Sequence, residues 1–327
     1  MIFFLPPVPL NKAVRVVDVR LLISVDVDLH QHITRMESPL TTLITDSNRY
    51  LKCYHHYLKH CTDQQTMEEF INNRFLDIMT KTVNGKSDLN VIGVGSGSGS
   101  LDLQMFSVIH RKHPEMTIDN EVIEPSPKQL HGYRDLVSQT PGLDYIRFNW
   151  NQITADEFEE QWKEKKRTEK ADLIHMFQVL YYVKDLGATI SFYQSLLNKN
   201  GQLLMTLHSG NSIVVKLRNT YSNQLGTTEV ARSTGDIKRF LDSKGLSYRS
   251  YELPNEVDIT KCFIEGDEEG EMMIDFLIQV LDFSKTASPE LKAGVKEFLC
   301  CPEFSVESNG KVLMNAQYEL IVLEQLT

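Results

Sequence analysis

The sequence lacks the features of a nucleic-acid-binding or membrane-spanning protein. It has 44 acidic against 34 basic side chains and a formal net charge of -10, which disfavours nucleic acid as a partner because neutralising phosphate requires a basic surface. An apolar run at the N-terminus is interrupted by Pro6, Pro7 and Pro9 and is far short of a membrane span, so we expect no membrane partner. Internal repeats and low-complexity tracts are also missing.

Patterns of cysteine and metal ligands are missing as well. The five cysteines are an odd number, and they form no Cys-x-x-Cys pair and no Cys/His quartet with ligand spacing. We therefore expect reduced thiols in a cytoplasmic protein, and no metal. His55, His56 and His60 are close in sequence, but Asp or Glu companions at ligand spacing are lacking, which favours a helix surface over a metal site.

A glycine-rich stretch between two apolar segments is the most informative feature that is present. Asn90 to Val94 is an apolar, β-branched run typical of a buried strand, and Gly95, Gly97 and Gly99 follow it directly. Glycine permits a tight turn with positive φ and lets a ligand approach the backbone. A second apolar segment ends at Glu124, close to the interval of roughly 20 residues at which nucleotide-binding folds place an acid for the ribose hydroxyls.

The spacing of these glycines decides which cofactor is expected. The dinucleotide fingerprint G-x-G-x-x-G fails in every frame, and no lysine follows that would form a P-loop. A G-x-G-x-G loop with no phosphate partner, followed by an acid for the ribose, suits S-adenosylmethionine, whose adenosine carries a sulfonium and no phosphate. A Gly/Ser-rich linker is the alternative, but the flanking apolar strands and the position of the acid favour the cofactor site.

The order of predicted elements indicates an α/β fold. Alternating helices and strands require right-handed crossovers and a mostly parallel, doubly wound sheet, and the final strand, over Lys311 to Leu323, is expected to join it antiparallel. The segments that alternate after Glu124 are helix Pro127 to Leu136, strand Tyr145 to Phe148, helix Ala155 to Lys166, strand Asp172 to Phe177, helix Ala188 to Leu197 and strand Gln202 to Leu207.

Ligands of such sheets lie at the carboxyl ends of the strands. This places Gly95, Glu124, Thr154 and the segment Phe177 to Tyr182 around one crevice. Some of the chain beyond residue 209, which includes an acidic loop and then a long apolar helix, is expected to cap it. Methyltransferases that act on amino groups of bases carry an Asn/Asp-Pro-Pro-aromatic turn after the fourth strand, and this chain has none there.

Aromatic residues recur in two places near the predicted crevice. Tyr50, Tyr54 and Tyr57 follow each other at helical spacing and predict an aromatic stripe that, on periodicity alone, belongs to the core; Thr62 is placed to cap the next helix. Tyr181 and Tyr182 either enclose a planar or cationic small molecule or cover the edge of the sheet.

Four separated runs resemble the histamine N-methyltransferase family: EVIEPSPKQL, DLIHMFQVLYYVKD, CFIEGDEEGEMMIDFL and PEFSVESNGKVLMNAQYELIVLE. The resemblance extends from about Leu43 to Glu324. It implies a class I S-adenosylmethionine-dependent methyltransferase fold with a substrate-binding lobe, in a monomeric cytoplasmic enzyme that methylates an imidazole ring nitrogen. It assigns cofactor binding to the glycine loop, Glu124, Gln129 and, by backbone or packing contacts, Ala155 and Phe177. It assigns substrate binding to Tyr50, Tyr54, Gln178, Tyr181, Tyr182 and Phe276.

Three departures from the family bear on the substrate. Where the family holds histamine with a Glu and an Asn, this chain has Asp63 and Ala316, and where the family has a Trp it has Arg218. These changes enlarge the pocket and supply a partner for a carboxylate. Our hypothesis is that the enzyme converts carnosine to anserine, as the histamine-methyltransferase-like carnosine N-methyltransferases do, with Asp63 or Gln178 as the catalytic group that hydrogen-bonds the far ring nitrogen.

Two alternatives stay open at this point. Histamine is still the substrate if Asp63 suffices and Arg218 faces water, and a regulator that binds the cofactor without catalysis is the other. In the predicted domain organisation, residues 1–38 are an N-terminal extension without assigned function, in which Met36 is an alternative start. Residues 39–327 are the methyltransferase domain, with a cofactor core over about 85–210 and a substrate lobe from about 43–80 and 211–310.

Overall fold

The computed structural model of the protein describes residues 40–226 and 231–325. The predicted N-terminal extension and Met36 lie outside the described residues. The helices are α1 Ser47–Lys59, α2 Asp63–Phe70, α3 Leu76–Val83, α4 Ser100–Lys112, α5 Pro127–Gln139, α6 Ala155–Glu164, α7 Leu186–Ser195, α8 Ile213–Thr220, α9 Thr234–Ser243, α10 Glu268–Ile278, α11 Phe283–Thr286 and α12 Pro289–Leu299. The strands are β1 Asp88–Val94, β2 Thr117–Ile123, β3 Ile146–Asn151, β4 Ala171–Phe177, β5 Leu197–His208, β6 Tyr248–Leu253, β7 Glu256–Asp258, β8 Ser305–Ser308, β9 Lys311–Asn315 and β10 Tyr318–Glu324.

Seven strands form the main sheet, in the order β3-β2-β1-β4-β5-β10-β6. Strands β1 to β5 pair in parallel, and β10 lies antiparallel between β5 and β6. Parallel strands are buried on both faces, which explains the unbroken burial of β4 from Ala171 to Met176. The predicted doubly wound sheet with an antiparallel last strand is confirmed. The exact division into a core and a lobe stays a prediction.

The predicted final strand is in fact two strands in different sheets. Strand β9 pairs with β7 and β8 in a small antiparallel sheet, whereas β10 belongs to the main sheet. Between them the backbone N–H of Gln317 donates to the side chain of Asn315 at 3.1 Å. Such local side-chain bonds compete with strand pairing. Ala316 therefore lies in the connection between β9 and β10 and not within a strand.

Two helix starts also differ from expectation. The predicted acidic loop is the first turn of α10, because Asp267 caps it by accepting from the backbone N–H groups of Glu269 and Gly270 at 3.0 and 2.9 Å and carboxylates are favourable at that end of a helix. Thr62 precedes α2 but does not cap it. Its hydroxyl instead accepts from the backbone N–H of Glu256 at 2.9 Å.

Apolar side chains cover both faces of the main sheet, and a further apolar cluster joins α8, α10 and α12 to the small sheet. Helix α10 packs against α1 and α8 and lies between them and the shorter elements of the C-terminal part. In the part of the chain that the structure describes, no helix is both long and apolar enough to cross a lipid bilayer.

The glycine loop after β1 turns with positive φ at all three predicted positions, with φ values of 67° at Gly95, 56° at Gly97 and 76° at Gly99. The space around them differs. A Cβ on Gly99 would lie 2.0 Å from the ring of Tyr133, and one on Gly95 would lie 2.7 Å from Val179. Nothing lies within 4 Å of a Cβ on Gly97. Packing therefore requires two of the glycines, and room for a ligand is left at Gly97.

We expect Gly99→Ala to destabilise the protein more than Gly97→Ala. Both variants force a side chain into the left-handed region, but only Gly99→Ala also overpacks against Tyr133, a difference of about 1–3 kcal/mol. Urea unfolding of the two variants without cofactor measures this difference. Equal free energies of unfolding would show that the ring of Tyr133 moves aside at little cost.

Candidate active site

The residues predicted to bind the cofactor lie at one edge of the main sheet. The glycine loop follows β1, Glu124 follows β2, Ala155 begins α6 after β3, and Phe177 ends β4. Carboxyl ends of parallel strands meet at the same edge, which is where doubly wound sheets bind ligands. Thr154, also predicted here, closes a capping box with Glu157 and so fixes the start of α6.

Glu124 is tied to the glycine loop by backbone hydrogen bonds. Its two carboxylate oxygens accept from the backbone N–H groups of Gly97 at 2.9 Å and Ser126 at 2.8 Å. Burial raises the pKa of Glu124, and these two donors act in the opposite direction. Gln129 lies in the first turn of α5, where its backbone N–H donates to the Ser126 hydroxyl at 3.4 Å. Glu124, the glycine loop and the start of α5 are thus joined by hydrogen bonds, and we call them the cofactor wall.

This wall fits an adenosine cofactor that carries no phosphate. The open face of Gly97 lets a ligand lie against the backbone beside the Glu124 carboxylate, which is suited to accept hydrogen bonds from ribose hydroxyls. The loop from Gly95 to Gly99 contains no Lys or Arg to meet a phosphate. The residues that would hold S-adenosylmethionine are Gly95, Gly97, Gly99, Glu124 and Gln129, with Ala155 and Phe177 as packing surfaces.

Aromatic rings from α1 and α10 stand above this edge of the sheet. We call Tyr50, Tyr54, Tyr57 and Phe276 the aromatic cage. The ring of Phe276 has its centroid 6.1, 5.8 and 4.7 Å from those of the three tyrosines. Tyr57 is buried, as a core position would be, whereas Tyr50 and Tyr54 are half-buried. The predicted stripe therefore belongs to the core at Tyr57 and stays partly accessible at Tyr50 and Tyr54.

The loop after β4 contacts the aromatic cage. The hydroxyl groups of Tyr182 and Tyr50 lie 2.7 Å apart, which joins this loop to α1. Tyr181 donates to the side-chain oxygen of Gln178 at 3.0 Å and accepts from the backbone N–H of His208 at 2.7 Å. Gln178 has a φ of 56°, a conformation that costs energy for a residue other than glycine and that occurs at functional sites.

Asp63 begins α2 and carries an unpaired carboxylate. Among the described residues none donates a hydrogen bond to it, and burial raises its pKa to about 6. Burial raises the pKa of Tyr54 and of Tyr181, and the negative charge of Asp63 adds to this increase at both tyrosines. The charge of Glu124 also raises the pKa of Tyr54.

Arg218 is held against the end of α10 and does not extend into water. Its Nε donates to the carbonyl oxygen of Leu277 at 2.8 Å and its Nη2 to that of Phe276 at 3.3 Å. Burial lowers the pKa of Arg218, and Tyr181 and Tyr182 counteract this. Within residues 40–226 and 231–325, its Nη1 has no hydrogen-bond partner.

Ala316 is fully buried, and the side-chain amide of Asn255 lies next to it. Its backbone N–H donates to the carbonyl oxygen of Asn255 at 2.8 Å. The side-chain nitrogen of Asn255 in turn donates to the hydroxyl of Tyr57 at 2.9 Å, and that hydroxyl lies 2.9 Å from the hydroxyl of Tyr318. The ring of His208 stacks on Tyr318 with centroids 4.4 Å apart. The polar groups of this region thus form a continuous chain below the aromatic cage.

The sequence did not single out Asn255, Tyr318 or His208. His208 is the last residue of β5, and Tyr318 is the first residue of the antiparallel β10 with which it pairs. Both therefore lie at the ligand-binding edge, and the strand-end rule identifies them once the break in the predicted final strand is recognised. Asn255 lies in the connection between β6 and β7 and has no local signal.

Comparison with known proteins agrees with this geometry. A family model described as "Methyltransferase domain" matches residues 63–251. With the strand order, the glycine loop and Glu124, it defines the protein as a class I S-adenosylmethionine-dependent methyltransferase.

The particular family follows from three relatives. Histamine N-methyltransferases of Danio rerio, Xenopus tropicalis and Bos taurus are 47%, 40% and 38% identical to the chain, over 88%, 89% and 88% of its length and 100% of theirs. The chain belongs to the histamine N-methyltransferase family. The resemblance inferred from four sequence runs is confirmed.

We expect Asp63→Asn to stabilise the protein without ligand. Burial raises the native pKa above the unfolded value of about 4, so the native state binds more protons between about pH 4 and pH 6, and ionisation of Asp63 costs stability as the pH rises through that range. The variant should therefore match the wild type below pH 4 and exceed it by on the order of 2 kcal/mol above pH 6.

Urea unfolding from pH 4 to pH 8 measures this difference. Asp77→Asn is the matched control, because Asp77 also lies in the first turn of a helix but is exposed; its effect should stay within about 0.5 kcal/mol. A difference that does not depend on pH would mean that the Asp63 carboxylate is solvated.

Proposed function

We propose that this methyltransferase acts on a ring nitrogen of a small imidazole compound and that histamine is its substrate. The observation that carries the proposal is the Asp63 carboxylate, whose charge acts on Tyr54 and Tyr181 and which has no donor among the described residues. A buried carboxylate without a partner is costly. An imidazole N–H or an ammonium group of a substrate supplies the missing donor, and the names of the relatives support histamine.

The residues of the chain act mainly by orienting the substrate. When bound, S-adenosylmethionine supplies a methyl group on a positively charged sulfur. A neutral imidazole nitrogen is itself a nucleophile, so the chain needs to supply none, and its task is alignment and exclusion of water. The rings of the aromatic cage pack against the planar imidazole. Asp63 accepts from the far ring N–H and stabilises the positive charge that develops on the ring.

Gln178 is the second polar group in the cavity. Its backbone conformation and its bond from Tyr181 fix the side-chain oxygen, which leaves the side-chain NH₂ group to donate to an acceptor on the substrate. The charges of Asp63 and Glu124 both act on Tyr54, and Tyr50 of the same helix contacts Tyr182. Helix α1 therefore covers the substrate and excludes water from the reacting atoms.

An imidazole that carries a carboxylate, such as carnosine, is the second candidate. Arg218 favours it, because among the described residues its Nη1 has no hydrogen-bond partner and is suited to bind a carboxylate. Its other donors hold the carbonyl groups of α10, so it already has a structural role without any ligand. Because Arg218 already has this structural role, we give histamine precedence over carnosine.

We expect kcat/KM to be at least about tenfold higher for histamine than for carnosine, a difference of roughly 1.4 kcal/mol in transition-state stabilisation. Methyl transfer from labelled S-adenosylmethionine to the two compounds, side by side, measures it. If carnosine is preferred and Arg218→Ala removes the preference, the carboxylate-bearing substrate is correct. If the protein binds the cofactor and methylates neither compound, the proposal fails and a regulator without catalysis is favoured.

We also expect Asp63→Asn to lower kcat/KM for the preferred imidazole by about 100-fold or more, because it removes a charge that stabilises the transition state. Asp77→Asn should leave kcat/KM unchanged. A loss confined to KM would assign Asp63 to ground-state binding alone.

We further propose that the enzyme is a monomer that acts in the cytoplasm, as the family resemblance implies. The five cysteines are free thiols, which agrees with a reducing compartment. Light scattering of the purified protein should give a mass near 37.5 kDa. A mass twice as large would show a dimer.

A further inference from the structure

Two histidines and one glutamate meet at the side of the substrate lobe, away from the aromatic cage. His56 and His60 are one turn apart on α1, and Glu269 lies in the first turn of α10. One possible ligand atom from each of the three lies within 4.8 Å of the other two. The sequence showed no acidic companion for these histidines because it comes from a helix that is distant along the chain.

The local geometry brings the two imidazoles together and prepares that of His60 to bind a cation. The ring centroids of His56 and His60 are 4.3 Å apart. The Nδ1 of His60 lies 2.9 Å from the carbonyl oxygen of His56, and since a carbonyl only accepts, Nδ1 must carry the proton. This fixes the tautomer in which Nε2 has the free lone pair, the arrangement that backbone carbonyls impose on metal-binding histidines.

A cavity of about 280 Å³ borders the cluster, and further polar groups line it. Lys261 pairs with Glu269, and Lys311 pairs with Asp258. Lys261 competes for the same carboxylate that a cation would use. Its side chain is half-exposed, so it can move into water when a cation takes its place.

We propose that His56, His60 and Glu269 form a binding site for Zn²⁺. Two imidazole nitrogens and one carboxylate oxygen are a ligand set that zinc prefers, and water completes the tetrahedron. Magnesium and calcium are excluded by the same reasoning, because they require mainly oxygen ligands. The site lies outside the cofactor wall and the aromatic cage, so it has no part in methyl transfer.

The position of the cluster indicates its effect. Helices α1 and α10 run antiparallel, because Arg49 near the start of α1 pairs with Asp275 near the end of α10, at 2.7 Å. The histidine cluster joins the opposite ends of the same two helices. Tyr50, Tyr54 and Phe276 lie between these two connections. Bound zinc therefore connects α1 and α10 at the end opposite the ion pair of Arg49 and Asp275. Because these two helices carry the aromatic cage, zinc should stabilise the substrate lobe.

Zinc titration of untagged protein tests the proposal. Cys300→Ser and Cys301→Ser are introduced first, because adjacent accessible thiols bind zinc on their own account. Competition with a chromophoric chelator should show one Zn²⁺ per chain. His60→Ala and the isosteric Glu269→Gln should each weaken binding at least about 100-fold, more than the 10–100-fold typical of losing an outer-shell group. His55→Ala is the matched control, since His55 is exposed on the same helix and outside the cluster.

Two further measurements separate a built site from general surface affinity. Lys261→Met should tighten zinc binding, because it removes the competing ammonium group. At a free zinc concentration 100 times the Kd, the Tm of the parent should rise by about 4 °C, and that of Glu269→Gln should not. Equal weakening in His55→Ala and His60→Ala, or no binding in the parent, would overturn the proposal. Neither result depends on whether histamine is methylated.

Discussion

The carboxylate of Asp102 is the contact on which the cofactor site depends. It is 1% exposed, and it accepts from the hydroxyl of Ser96 at 2.9 Å and from that of Tyr133 at 3.1 Å, while Nε2 of His175 lies 3.2 Å away. These partners belong to the glycine loop, α5 and β4. A buried carboxylate is costly without such partners, and here one side chain holds together three elements that carry the site.

The sequence predicted what local patterns determine and missed what distant contacts determine. The strand, the glycine loop and Glu124 follow from residue type and spacing, and all three are found as expected. Asp102 lies in the first turn of α4, where a carboxylate is favourable for local reasons, whereas Tyr133 and His175 reach it from elements far along the chain. In the same way, the need for glycine at position 99 comes from the ring of Tyr133. The spacing of residues along the sequence does not show which distant side chains come into contact.

Two charged side chains of the proposed substrate site are poorly compensated. Burial raises the pKa of Asp63, which has no donor among the described residues, and lowers the pKa of Arg218. Neither charged group makes the folded protein as stable as it could be, because each loses hydration that the protein does not fully replace. Departures of this kind from local consistency are expected at functional sites.

The position of β10 has a consequence for synthesis on the ribosome. Strand β6 pairs only with β10 among the strands of the described main sheet, and β10 lies between β5 and β6 although it is made after both. The sheet edge of β5 must therefore stay open while more than a hundred residues are added, and an open edge invites wrong pairing. Folding during translation can complete β1 to β4, but the polar chain below the aromatic cage forms only after Tyr318 has left the exit tunnel. The nascent chain thus depends on protection of that edge until β10 has emerged from the ribosome.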